Sequence, residues 1–197
     1  ESLLDLVAIG TVADLAPLNS MENRALVRRG LKVIREANRP GIKALLQVAG
    51  IEPKTATAMT IGFALGPRIN AAGRLKDAML ACELLYTRDE ARAQALAQTL
   101  QDLNTERQKL TREAQEKIKA SVEAIHDQPL IFAGDSSFKP GIVGLVAGRL
   151  VEEYFRPAVV LEYGDEESRA SCRSIPHFDI THALDQCADL LVRHGGH

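Results

Sequence analysis

Thr87–Ile125 reads TRDEARAQALAQTLQDLNTERQKLTREAQEKIKASVEAI, and it contains neither proline nor glycine. Ala, Gln, Glu, Lys and Leu dominate it, and these are the strongest helix formers. Thr87 followed three residues later by Glu90 has the spacing of a capping box, which satisfies free backbone N–H groups at a helix start. The stretch predicts one helix of about 38 residues, roughly 57 Å long at 1.5 Å per residue. A single small core needs less than that, so the helix reads as a connector between two bodies. The resulting division is residues 1–86, the helix at 87–127, and residues 128–197.

Upstream, LLDLVAIGTVADLAPL begins as an apolar run. Val7 and Ile9 predict a buried strand that ends at Gly10 and Thr11. Asn19 and Glu22 have capping-box spacing ahead of a helix from about Met21 to Asn38, which Pro40-Gly41 breaks. A short helix, IKALLQVAG, follows with Gly50 as its C-terminal cap. Another helix is expected near residues 55–65, and GPRINAAGR reads as a loop rich in Gly, Pro and Asn.

Downstream, LIFAGD predicts a strand, GIVGLVAGRLVEEYF a helix and PAVVLEY a second strand. Tyr163-Gly164-Asp165 turns the chain into a third strand, SRASCRS, and Asp179 caps a final helix, Ile180 to about Val192. Strand–helix–strand at this spacing implies a right-handed crossover and a parallel pair. The expected fold class is α/β, with two α/β bodies joined by a long connecting α-helix.

Composition narrows the function classes. The chain has 197 residues, 46% of them hydrophobic, enough for real cores. No window approaches ~18 continuous apolar residues, so no membrane span is expected. ESLLDLVAIG has no basic region ahead of its apolar run, unlike a secretory signal. Net charge is -2, so nucleic-acid binding requires a local basic patch. Cys82, Cys172 and Cys187 form no CxxC, which disfavours a disulfide framework and fits a reduced, cytoplasmic setting. Trp is absent and aromatics are 4%, which disfavours an extended base-stacking platform.

Several residues are candidates for chemistry. Asp14 lies just past the expected strand, at the sheet edge where open α/β folds bind ligands. A carboxylate there suits Mg²⁺ or Mn²⁺; capping a turn is the alternative. Arg68, Asn70 and Arg74 surround small residues in GPRINAAGR and could clamp a phosphate, or be solvated on a surface loop. Ser171 and Arg173, two apart on a strand, share a face and form a phosphate-binding pair, or keep an edge strand polar. Lys139 falls near a helix N-terminus, which favours anions, while Gly144 and Gly148 read as packing glycines. His177 and His182 read as turn and first-turn residues. At the chain end, Arg193-His194-Gly195-Gly196-His197 could hold a phosphate across its Gly-Gly turn; its spacing is weak for zinc.

Taken in order, these segments resemble the RecJ family of the DHH phosphoesterase superfamily. DLVAIGTVADLAPL is similar to that family's fourth core motif, whose aspartate is a metal ligand. GPRINAAGR, LNTERQ and GIVGLVAGRLVEEYFRPAVVL resemble family segments in the same order, and SCRSIPHFDITHALDQCADLLVRHGGH resembles the DHH-associated domain. The resemblance implies a 5′-to-3′ exonuclease of DNA repair and recombination that hydrolyses single-stranded DNA to mononucleotides with Mn²⁺ or Mg²⁺. It implies that Asp14 is a metal ligand and catalytic residue, and that Arg68, Asn70 and Arg74 hold phosphate. Ser171 and Arg173 would bind the 5′-phosphate, His197 would be catalytic with the Gly195 and Gly196 backbone on a neighbouring phosphate, and DNA would enter between the two bodies. It further implies that the chain is an internal fragment, inactive alone, because the other metal-ligand motifs of the family lie upstream. Single-stranded DNA is the implied partner, with repair or replication proteins open. Three other readings remain: a sister DHH phosphoesterase for oligoribonucleotides, cyclic dinucleotides or pyrophosphate; a RecJ-like scaffold that has lost catalysis; and a tRNA-binding domain of alanyl-tRNA-synthetase type.

Overall fold

The computed structural model describes residues 3–125 and 127–196. The chain is mixed α/β and forms two compact units, Glu1–Arg107 and Gln108–His197.

Among its described residues, the first unit is built of helices joined by turns, without a strand. It comprises α1 (Leu4–Ala13), α2 (Met21–Glu36), α3 (Pro40–Val48), a short α4 (Ala58–Thr60), a π-helical turn (Ile61–Leu65), α5 (Gly66–Leu75), α6 (Met79–Tyr86) and the first half of α7 (Glu90–Ala124). Its core joins Ile34, Leu45, Leu46, Ile61, Leu65 and Leu84 to the stripe Ala93, Leu96, Ala97 and Leu100 of α7.

Four local expectations are corrected. The strand expected at Val7 and Ile9 is helix α1, so no strand occurs among the described residues of this unit. An apolar run cannot by periodicity alone separate strand from buried helix. Here Asp5, Ala8 and Ile9 are the buried positions, at i, i+3 and i+4 spacing. The helix seats on α2 at Gly30, where a Cβ would fall 2.2 Å from the Leu4 carbonyl oxygen and 2.5 Å from the Ala8 Cβ. Next, GPRINAAGR is helix α5 rather than a loop. Pro67 falls in its first turn, where a missing N–H is tolerated, and Ala71 and Ala72 bury its inner face. The caps also shift. Ser20, not Asn19, caps α2 through the Asn23 N–H at 3.4 Å. Asp89, rather than the Thr87–Glu90 box, accepts the Arg92 N–H at 3.0 Å where α7 begins. The helix α7 has 35 residues, about 52 Å at 1.5 Å per residue.

The second unit carries the sheet, in the order β1 (Ile131–Gly134), β2 (Ala158–Glu162), β3 (Arg169–Arg173). β1 and β2 are parallel with Ile131 opposite Ala158, as the strand–helix–strand pattern requires, and α8 (Pro140–Tyr154) connects them. β3 runs antiparallel to β2, with Val160 opposite Ser171 and Ala158 opposite Arg173. Ile142, Val143, Val146, Ala147 and Leu150 bury one side of α8, and Ala114, Ile118 and Val122 of α7 are buried in the same unit. The final helix is shorter than expected. α9 spans Ile180–Asp185, followed by a 3₁₀ turn at Ala188–Leu190. None of its residues is fully buried, though Ile180, Thr181, Ala183 and Leu184 are half-buried, and a helix with so little packed face gains little by lengthening.

Candidate metal-binding and phosphate-binding residues

Asp14 is exposed and caps the C-terminus of α1, its backbone N–H donating to the Gly10 carbonyl at 3.0 Å. It therefore follows a helix, not the strand tip that the sequence suggested. The last carbonyls of a helix carry partial negative charge, so a second anion there is unfavourable and a cation is favourable. The donor fits one coordination position of a hard divalent cation. Among the described residues, no three His, Cys, Asp or Glu converge as a metal site. α1 is fixed at its other end by a buried ion pair that the sequence reading did not single out. Arg39 Nε donates to Asp5 Oδ2 at 2.6 Å and its NH2 to Oδ1 at 3.1 Å, while its NH1 donates to the Leu85 carbonyl at 3.0 Å. Its only sequence signal is a lone acid within an apolar run.

The structure separates the GPRINAAGR residues that sequence grouped. On α5, Asn70 and Arg74 are one turn apart and exposed, so they share a face. Arg68 points elsewhere. Its Nε donates to Gln101 Oε1 on α7 at 2.7 Å and its NH1 to the Ala64 carbonyl at 2.8 Å. Burial lowers the pKa of this guanidinium, since desolvation disfavours its charge.

In the second unit, Ser171 and Arg173 do share a face of β3, and Arg173 NH1 lies 3.5 Å from Ser171 Oγ and 2.7 Å from the Cys172 carbonyl. Gly144 of α8 lies beneath both. A Cβ there would come within 2.9 Å of Ser171 Oγ and 3.4 Å of Arg173 NH2. The packing glycine of the sequence reading thus packs directly against the candidate phosphate pair; Gly148 has nothing within 4 Å of such a Cβ. Lys139 is the N-cap residue of α8. In the preceding loop, Asp135 accepts from Lys117 Nζ at 2.7 Å and from Ser137 Oγ at 2.6 Å. These bonds hold its carboxyl down to about 2. His177 adopts a left-handed turn conformation (φ 72°), and His182 donates its backbone N–H to the Asp179 cap at 2.9 Å. At the chain end, His194 Nε2 lies 2.8 Å from Asp185 Oδ1, and nothing crowds Gly195 or Gly196. His197 lies outside the described residues.

No protein-family model matches the chain. The single-stranded-DNA-specific exonuclease RecJ of Bacillus subtilis is 40% identical to it over 200 residues, which cover 100% of this chain and 25% of that protein. The chain is a homologue of RecJ. Its fold agrees: a crystal structure of exonuclease RecJ bound to manganese superposes with TM-score 0.84 at 36% identity, covering 98% of this chain and 48% of that one. The Thermus thermophilus RecJ structure in complex with Mg²⁺ gives TM-score 0.82 at 37% identity, covering 98% of this chain and 30% of that one. The chain spans 25% to 36% of the length of the curated RecJ relatives compared with it. Within the described residues, no helix is long and apolar enough to cross a membrane.

Proposed function

We propose that this chain forms part of a cytoplasmic, RecJ-type 5′-to-3′ exonuclease acting on single-stranded DNA in repair or recombination. The observation that carries the reading is the Ser171–Arg173 pair, presented together over Gly144 in a chain 40% identical to RecJ. A guanidinium beside a hydroxyl suits a terminal phosphate, accepting two charge-assisted bonds. Asn70 and Arg74 offer a second phosphate contact from one face of α5, while Arg68 ties α5 to α7. Asp14 would hold one coordination position of Mn²⁺ or Mg²⁺ through a carboxylate oxygen, and among the described residues no cluster of three His, Cys, Asp or Glu completes the set. When bound, such an ion supplies an activated water and offsets charge on the phosphate. The open backbone at Gly195 and Gly196, with His197 beyond it, serves a neighbouring phosphate. In domain terms, residues 1–86 continue a DHH domain, 87–127 form the connector and 128–197 belong to a DHH-associated domain.

The test is end preference in the full-length protein. Arg173→Ala should lower discrimination for 5′-phosphorylated over 5′-hydroxyl strands, read as a ratio of kcat/KM. Loss of one charged hydrogen bond is worth about 1.5–3 kcal/mol. The exposure of Arg173 places the effect at the lower end, about tenfold. Equal activity of wild type on both ends removes the role given to Ser171 and Arg173. The 197-residue chain alone, incubated with the same strands and Mn²⁺, should release no mononucleotides.

A further inference from the structure

The outward face of α2 carries four cations. Arg24, Arg28, Arg29 and Lys32 are all exposed, and none of their side chains makes a hydrogen bond or ion pair with another described residue. Arg28, Arg29 and Lys32 turn away from Val27, Gly30 and Ile34, the buried side of the helix, and Arg24 flanks that side. With Met21 and Ala25 they line one shallow concavity. The acids of the helix keep their charge but form no ion pair with these four cations: Glu22 accepts from Ser20 Oγ at 2.7 Å and Glu36 from the Asn38 side-chain amide at 3.1 Å. The chain as a whole has net charge -2, so the stripe is a local concentration rather than general basicity. Like charges one turn apart repel and weaken a helix, so the stripe opposes α2 stability unless an anion relieves it.

We propose that this face of α2 binds the phosphate backbone of a single nucleic-acid strand, as a surface to which none of Asp14, Asn70, Arg74, Ser171 or Arg173 belongs. Nucleic acid as the polyanion rests on the exonuclease reading; the existence of an anion surface does not. Arg24, Arg28 and Lys32 repeat every four residues, about 6 Å per step along the axis. A regular row of cations matches a regularly repeating anion. Three of the four are arginines, whose planar fork fits phosphate in bidentate fashion. Met21 and Ala25 are the apolar residues of the concavity, and Leu26 of the same helix, 36% exposed, lies outside it. A membrane-lying helix would carry Trp, Phe or Leu beside its cations, and a protein partner would need a buried apolar anchor.

The experiment measures binding of the full-length protein to a fluorescent 30-nucleotide oligothymidylate by anisotropy, in EDTA to prevent turnover, across a salt series. Each single-strand phosphate contact contributes about 0.7 to the slope of log K against log salt. The variant Arg24→Gln/Arg28→Gln/Arg29→Gln/Lys32→Gln should lower the slope by about 2 to 3. The charge-preserving Arg24→Lys/Arg28→Lys/Arg29→Lys should keep the slope. Should the neutralised protein fail to fold by circular dichroism, Arg28→Gln/Arg29→Gln alone should lower the slope by about 1. An unchanged slope in a folded variant overturns the proposal. So does displacement of the strand from the wild type, but not from the neutralised variant, by poly-glutamate at equal charge concentration, which would make this a face for acidic peptides. Mononucleotide release by the wild type is read separately. Its absence with an intact slope effect sinks the exonuclease reading alone.

Discussion

At the residue scale, two carboxylates show how position sets a role. Asp14 places a negative charge at the negative end of α1. Asp14→Asn should therefore stabilise the metal-free protein by about 0.3–1 kcal/mol, measured by urea unfolding. The same change should cost full-length protein at least about 100-fold in Mn²⁺-dependent mononucleotide release, since even outer-shell partners of a metal are worth about 10–100-fold. Full activity in the Asn variant would remove Asp14 from the metal. Asp135 behaves oppositely. Lys117 first, and then Ser137, depress its pKa from 3.8 to about 2. A depressed folded-state value means that its contribution is complete above about pH 4 and is lost as pH falls from there towards 2. The Asp135 carboxyl resonance should titrate near 2 in the wild type and closer to 3.8 in Lys117→Met.

At the element scale, α8 and β3 meet through a glycine. Gly in a helix interior is about 0.5–1 kcal/mol less favourable than Ala. At position 144, however, an added methyl would press on Ser171 Oγ at 2.9 Å and Arg173 NH2 at 3.4 Å. Both atoms end flexible side chains, so they yield rather than the backbone. Gly144→Ala should accordingly keep its urea stability within about 1 kcal/mol of wild type, yet reduce the kcat/KM preference for 5′-phosphorylated strands severalfold. A large stability loss with intact preference would mean that the glycine serves packing alone. The contrasting case is Gly30, whose neighbours are the Leu4 backbone and the Ala8 Cβ. There a methyl has nowhere to go, and the α1–α2 seat itself would have to open.

At the scale of the whole molecule, α7 is one helix that takes part in both units. Leu100 belongs to the core of the first unit and Ile118 is buried in the second. Truncating a buried Leu or Ile to Ala costs about 2–5 kcal/mol. Leu100→Ala should lower hydrogen-exchange protection chiefly within residues 1–107, and Ile118→Ala chiefly within 108–197. Equal losses in both regions would mean that α7 couples the units into one cooperative block.

Local chemistry in the sequence determined the existence of α7, the parallel β1–β2 pair and the shared face of Ser171 and Arg173. No breaker interrupts the first, a crossover helix requires the second, and strand alternation fixes the third. Where the residues were apolar on every side or rich in Gly, Pro and Asn, local pattern did not decide. Tertiary contact did: α1 is a helix because it seats on Gly30, and GPRINAAGR is a helix because Ala71 and Ala72 are buried and Arg68 reaches Gln101. The same contacts split Arg68 from Asn70 and Arg74, and buried Asp5 against Arg39. Burial and long-range hydrogen bonds join residues far apart in the chain, and no local window of sequence contains both partners.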